Sequence, residues 1–243
     1  MNEDNLIIVI AGETGSGKSY LERVILPSYP NLEIVSKYTT RKPRIDENNV
    51  KDVRGGLEKE EIEAMDYHYV NRLTGESYGL KKSEIDDCLK RGKIPCVDFS
   101  DEKAYLTMLQ DFPDSILILK IVPFFDEESM KTTFDRQGRD PEEFEERKAA
   151  LEEPLTEWGY KYENMREVIN PYFMRTIPDE ISKNVVVKRI ESVIQDECKK
   201  DLGTTLLGES KEYHGLYEYL YYLSKNRPVD IDLTIGKKGK IVA

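Results

Sequence analysis

Leu6-Ile7-Ile8-Val9-Ile10-Ala11, followed at once by Gly12-Glu13-Thr14-Gly15-Ser16-Gly17-Lys18-Ser19, is the stretch on which the fold turns. The six apolar residues are rich in β-branched side chains and show no polar alternation. Such a run suits a central parallel strand covered on both faces. The next eight match G-x-x-x-x-G-K-[ST] in full, and a helix is expected over Ser19–Leu26, ended by Pro27. Glycines at that spacing let the backbone curl until successive N–H groups point inward at phosphate oxygens. The positive end of the following helix adds to the same place. In such a loop Gly12, Glu13, Thr14, Gly15, Ser16 and Gly17 cradle the phosphates of ATP. Lys18 reaches the β- and γ-phosphates, and Ser19 ligates Mg²⁺.

Working outward, strands and helices alternate. Leu32–Val35 reads as a second short strand, and Ser83–Arg91 as a helix closed by Gly92. Ile94–Phe99 is another strand, and Ile116–Val122 the most apolar one after the first. Pro141–Glu153 is a charged helix, with Asp140 placed to cap it and Pro141 at its first position. Ile181–Cys198 is a long amphipathic helix with Val185, Val186, Ile190, Val193 and Ile194 on its apolar side. This order predicts an α/β fold with a parallel sheet flanked by helices. Residues 44–66 are mostly charged and contain Gly55-Gly56, which predicts a mobile excursion with a small acidic helix at Leu57–Met65. A C-terminal extension over 201–243 is expected to hold a tyrosine-rich helix, Tyr213–Leu223. A hairpin of Val229–Ile235 and Lys240–Val242 should follow.

The net charge of -11 argues against nucleic-acid or membrane-surface binding, since both need a basic footprint. A nucleotide needs only a few well-placed cations. The three cysteines, Cys88, Cys96 and Cys198, lack paired metal spacing and read as buried thiols of a reduced protein. The run Leu6–Ala11 is too short for a secretory core or a membrane span, so the expected location is the cytoplasm. The two histidines, His68 and His214, lie far apart, which speaks against a metal-centred hydrolase.

Three further groups carry chemistry. Thr39-Thr40-Arg41-Lys42-Pro43-Arg44 places two guanidinium groups around a stiff turn, where they could clamp a phosphate or simply face water. Arg136 and Arg147 flank Gln137-Gly138 and could close over a transferring phosphoryl group, or pair with Glu142, Glu143 or Glu145. Asp98 falls at the carboxyl end of its strand, the ligand edge of an open α/β sheet, where it could face a ligand or cap the next helix.

Taken in order, these pieces resemble the guanylate kinase family. The resemblance runs from about residue 5 to about residue 200. It rests on Gly12 to Ser19, Thr39 to Arg44, Asp66-Tyr67-His68-Tyr69-Val70, Tyr78-Gly79, Asp98, Arg136 with Arg147, and Val168-Ile169-Asn170. It implies a P-loop kinase domain over 1–200, with a small nucleotide-binding insert at about 37–82 and a lid at about 130–150. It implies ATP and Mg²⁺ as cofactors and a nucleoside monophosphate, GMP or dGMP first, as the small-molecule acceptor. Arg41, Arg44, Tyr67 and Tyr78 would then bind the acceptor's phosphate, and Glu47 and Asp98 would lie beside the acceptor. Lys18, Arg136 and Arg147 would carry the catalytic charge.

The chain departs from that pattern at definite places. Lys37 stands where the family has a serine, Ser100 where it has a second aspartate, and Thr132 at one lid-arginine position. The helix and glutamate that help read guanine have no counterpart. Two alternatives therefore stay open. One is a kinase of a phosphorylated sugar, such as ribose bisphosphate, and the other is a non-enzymatic guanylate kinase-like interaction module.

Overall fold

The fold is that of a computed structural model, which describes residues 5–13, 15–43, 53–125, 127–136, 140, 142–152, 164–173, 179–198, 234–235 and 241–242. Five strands form a wholly parallel sheet: β1 (Ile7–Ala11), β2 (Leu32–Ile34), β7 (Ile94–Phe99), β8 (Ile116–Phe125) and β9 (Met165–Phe173). Their order is β2-β7-β1-β8-β9, so β1 is central. Ile8 lies opposite Cys96 on one side and Leu117 on the other, and Ile10 opposite Asp98 and Leu119.

The period of two along β1 divides the core. Leu6, Ile8 and Ile10 pack with Leu21, Leu26 and Tyr29, and with Val186, Val187, Ile190, Val193 and Ile194 of α7 (Asp179–Cys198). Ile7, Val9 and Ala11 face the other way, toward Ile85, Tyr105 and Met108. Those three come from α3 (Lys82–Lys90) and α4 (Glu102–Asp111). Burial on both faces explains why β1 needs no polar residue. The phenol of Tyr29 donates to the carbonyl of Val187 at 2.7 Å and ties the first helical segment to α7.

Several boundaries differ from expectation. The helix after the glycine loop starts at Lys18, as α1 (Lys18–Tyr20), and widens into π-helical turns over Leu21–Ile25. Pro27 sits inside a closing 3-10 turn, Leu26–Ser28. Strand β8 runs on to Phe125, and β9 pairs along it from Met165.

The largest difference is in the charged excursion. There, β3 (Lys37–Thr39), β4 (Val53–Arg54), β5 (Tyr67–Val70) and β6 (Ser77–Leu80) form a second sheet in the order β4-β3-β6-β5. The short helix α2 (Lys59–Glu63) packs on it through Ile62, with Met65 just beyond the helix. A Cβ on Gly79 would come within 2.7 Å of the Met65 Sδ, so glycine sets how closely the segment can approach. Residues 53–66 are thus an ordered part of this sheet. Charge alone misread them, because Leu57, Ile62 and Met65 gather against Tyr38 of β3.

Two helices, α5 (Glu127–Arg136) and α6 (Glu142–Glu152), follow β8 and share a small core of Met130, Phe134 and Phe144. Asp140 caps α6, its carboxylate accepting from the Glu142 amide at 3.0 Å. In the extension, β10 (Thr234–Ile235) and β11 (Ile241–Val242) pair antiparallel. The expected helix Tyr213–Leu223 lies outside the described residues. Among the described residues no helix is long and apolar enough to cross a membrane.

Candidate active site

The glycine loop leaves the carboxyl end of β1. Gly12 has φ of 144°, and a Cβ there would lie 2.9 Å from both the Ile121 carbonyl and the Ser16 hydroxyl. A side chain is excluded twice over, by backbone conformation and by space. Gly17 precedes α1 at φ 91°, and the amides of Tyr20 and Leu21 both return to its carbonyl. The Ser16 hydroxyl is buried and has no hydrogen-bond partner in the structure. Asn170, within β9, donates to the Ser16 carbonyl at 3.4 Å, which braces the loop from a second strand.

Lys18 is buried, and its ammonium donates to the loop's own carbonyls, Gly12 O at 2.8 Å and Glu13 O at 2.9 Å. Burial lowers its pKa from the ordinary lysine value, with Asp98 opposing that shift and Lys37 adding to it. Ser19 follows on α1, half-buried. Thr14 lies outside the described residues.

Asp98 ends its run on β7 beside Ile10 and is almost fully buried. One of its oxygens, Oδ2, accepts a hydrogen bond from Lys37 of β3. The other, Oδ1, is buried and has no hydrogen-bond partner. Burial opposes the charge on Lys37, but the Asp98 carboxylate, with Tyr69 and Glu22, more than offsets it, so the ammonium is held above the usual lysine range. Capping of α4 falls to Asp101, whose carboxylate accepts from the Lys103 amide at 2.8 Å.

The insert sheet supplies an aromatic wall. Tyr69 and Tyr78 stack with centroids 5.4 Å apart, Phe99 meets Tyr69 edge-on, and Lys37 lies 5.6 Å from the Tyr78 ring centre. The Ser100 amide donates to the Tyr69 hydroxyl at 3.3 Å.

Tyr67 is elsewhere, which corrects the expectation that it binds the acceptor's phosphate. Its hydroxyl donates to Asp111 at 2.7 Å. Asp111 closes α4, a helix length, about 15 Å, from the end that follows Asp98. Strand periodicity puts Tyr67 and Tyr69 on one face of β5, two residues apart, and only the register with β6 decides which one reaches Asp98. Tyr69 and Lys37 are thus the residues that sequence reasoning missed. The alternation Tyr67-His68-Tyr69 carried a signal for the first.

Arg41 sits half-exposed at the end of β3, its Nη1 donating to the Lys42 carbonyl at 3.0 Å, while the Gly56 amide returns to its own carbonyl. Arg44 and Glu47 lie outside the described residues. Arg136 is the last residue of α5. Arg147 is buried, grips Glu143 with Nε and Nη2 at 3.1 and 2.9 Å, and stacks on Phe134. Thr132 turns its hydroxyl back to the Glu128 carbonyl of its own helix. The His68 ring nitrogen lies 3.0 Å from the Met65 carbonyl. Among the described residues no three His, Cys, Asp or Glu side chains gather as a metal site.

No family model matches the chain. A guanylate kinase from Clostridium perfringens is 26% identical over 225 residues, covering 90% of this chain and 96% of that protein. A guanylate kinase from Onion yellows phytoplasma is 26% identical over 205 residues, covering 82% and 90%. At this level of identity the chain is similar to guanylate kinases over most of its length. A solved guanylate kinase from Anaplasma phagocytophilum aligns with 82% of this chain and 88% of its own, with a TM-score of 0.48 and 15% identity. Relative to the guanylate kinase pattern, the glycine loop is complete, and Lys37 at the serine position is drawn into an ion pair with Asp98.

Proposed function

We propose that the protein transfers the γ-phosphoryl group of ATP to a nucleoside monophosphate, GMP or dGMP first. The observation that carries this is the buried Lys18, folded onto its own loop carbonyls at the edge where Asp98 waits.

The loop suits a polyphosphate. Its interior excludes a Cβ at Gly12 and presents a buried Ser16 hydroxyl without a partner, so the space is polar and closed to side chains. On binding, the ammonium of Lys18 exchanges carbonyl oxygens for phosphate oxygens, which carry more charge in the same dry setting. Mg²⁺, when bound through Ser19 and the nucleotide, supplies neutralisation of the β- and γ-phosphates. Arg41, Arg44 and Tyr78 hold the acceptor's phosphate, and Glu47 and Asp98 flank the acceptor. Arg136 and Arg147 belong to the lid, and Arg147 must leave Glu143 to reach a phosphate. Positioning and charge neutralisation are enough for this reaction, and no residue acts as a nucleophile.

The test is ADP release, measured by a coupled assay with GMP, dGMP, AMP, CMP, UMP, dTMP and ribose bisphosphate. Turnover with GMP or dGMP above the others is the expected result. Background rates with every nucleotide would defeat the reading. Turnover with ribose bisphosphate alone would select the sugar-phosphate kinase instead.

A further inference from the structure

The ion pair of Lys37 and Asp98 joins the insert sheet to the parallel sheet in a buried place. A purely structural tie is the simplest account, but the pair is a poor one. Burying two charges gains little over an apolar contact unless every remaining valence is satisfied. Here Asp98 Oδ1 is left buried with no partner, and among the described residues the ammonium's one hydrogen bond goes to Oδ2. A carboxylate oxygen shut away from water without a donor is costly, and such atoms call for something that binds there.

The position says what. Asp98 lies opposite Ile10, two residues before the glycine loop that carries Lys18, and Lys37 reaches Asp98 from β3, so the ion pair sits beside that loop. Lys37 also lies over the ring of Tyr78, 5.6 Å from its centre. On the kinase reading, Lys18 belongs to the donor's end of the site, and Tyr78 with Arg41 to the acceptor's end. Lys37 touches both neighbourhoods, through Asp98 beside the loop and through the Tyr78 ring, and it carries a charge that Asp98 sustains against burial.

We propose that Lys37 is a catalytic residue whose ammonium, aimed by Asp98, contacts the phosphate oxygens between donor and acceptor. The inference rests on the kinase reading given above. In the step itself an oxygen of the acceptor's phosphate forms a bond to the γ-phosphorus. The bond from that phosphorus to the β-bridging oxygen breaks, and ADP leaves with the electron pair. Lys37 keeps its proton throughout and offsets negative charge as it spreads over the transferring group. Asp98 fixes where the ammonium sits and leaves Oδ1 for a donor on the acceptor.

The experiment compares wild-type protein, Lys37→Gln and Lys37→Arg for GMP phosphorylation with saturating Mg-ATP, alongside calorimetry of Mg-ATP alone. Lys37→Gln is expected to lower kcat by about 10²- to 10³-fold, the usual cost of one lost donor to a developing oxyanion. Mg-ATP affinity should change less than threefold, and Lys37→Arg should recover at least tenfold of the lost rate. A folded Lys37→Gln variant with kcat and KM for GMP within threefold of wild type would overturn the proposal and leave the kinase reading standing. Absence of turnover in the wild type would overturn both.

If Lys37→Gln does not fold, the wild-type protein decides. Lysine labelled at its ε-carbon is followed by NMR during titration with GMP, and the Lys37 signal is assigned from its loss in Lys37→Arg. A GMP-dependent shift supports the contact, and an unmoved Lys37 signal at saturating GMP refutes it.

Discussion

The two sheets of this molecule solve different problems. The five-stranded sheet is parallel throughout and covered on both faces, and its functional element is a stretch of backbone at the end of β1. The insert sheet is mixed, built of strands of two to four residues, and its functional elements are side chains from β3, β5 and β6. A backbone site tolerates much change nearby so long as a few glycines and a lysine stay in line. A side-chain site depends on register, because a shift of one residue turns every group to the other face. On the kinase reading proposed above, the donor half of the site is therefore kept, while the acceptor half has drifted as far as a lysine in place of a serine.

The sharpest way to break the comparison is to attack the donor half. Lys18→Ala should reduce turnover by at least about 10³-fold, since a phosphate-directed ammonium in a dry loop is worth several kcal/mol in the transition state. Its thermal midpoint should hold or rise slightly, because Lys18 is buried against its charge. Activity within tenfold of wild type would remove the loop from the mechanism.

Gly12→Ala comes next. The added Cβ meets a backbone oxygen at 2.9 Å, and φ of 144° is strained for any L side chain. A loss of about 2–3 kcal/mol in urea unfolding is expected, with Mg-ATP binding weakened at least tenfold in calorimetry. A neutral outcome would mean that the loop is softer than its contacts indicate.

The same contrast explains what could be read in advance. The residues from Leu6 to Ser19 disclosed their structure because strand, loop and helix signals lie end to end, each set by local chemistry. The strand position of Asp98 was legible for the same reason, through its place near the end of an apolar run. Val53, Arg54 and Leu57 were not, because they gain their structure only by pairing with β3 and packing near α2. Lys37 stood out only as a departure, a lysine where the guanylate kinase pattern has a serine. Its meaning depends on a carboxylate 61 residues away in sequence.

Tyrosine register offers a finer test. Tyr67→Phe removes a hydrogen bond to Asp111 and should cost about 1 kcal/mol in stability while shifting KM for GMP by less than threefold. Tyr78→Phe should do the reverse, raising KM for GMP by about tenfold with little change in unfolding. If Tyr67→Phe instead raised KM as Tyr78→Phe does, the register of β5 against β6 would need revision, and Tyr69 would lose its place beside Asp98.

The smallest effect tests how the insert sheet is held at its outer edge. Tyr38 of β3 donates to the Glu84 carboxylate of α3 and accepts from Arg54 Nη1 at 3.0 Å, with Arg54 and Lys81 against its ring. Burial first, and then the bond to Glu84, push its phenol up to about 12. The folded state therefore holds this proton more tightly than the unfolded chain does. Its contribution is complete below pH 10 and is lost as the pH rises from 10 toward 12. Tyr38→Phe should cost about 1 kcal/mol at pH 8 and make unfolding less steeply dependent on pH across that window. Urea midpoints at pH 8, 10 and 11 for both proteins measure the difference. Parallel slopes would show that the phenol is bound no more tightly when folded, and that the ring contacts with Arg54 and Lys81 hold this edge on their own.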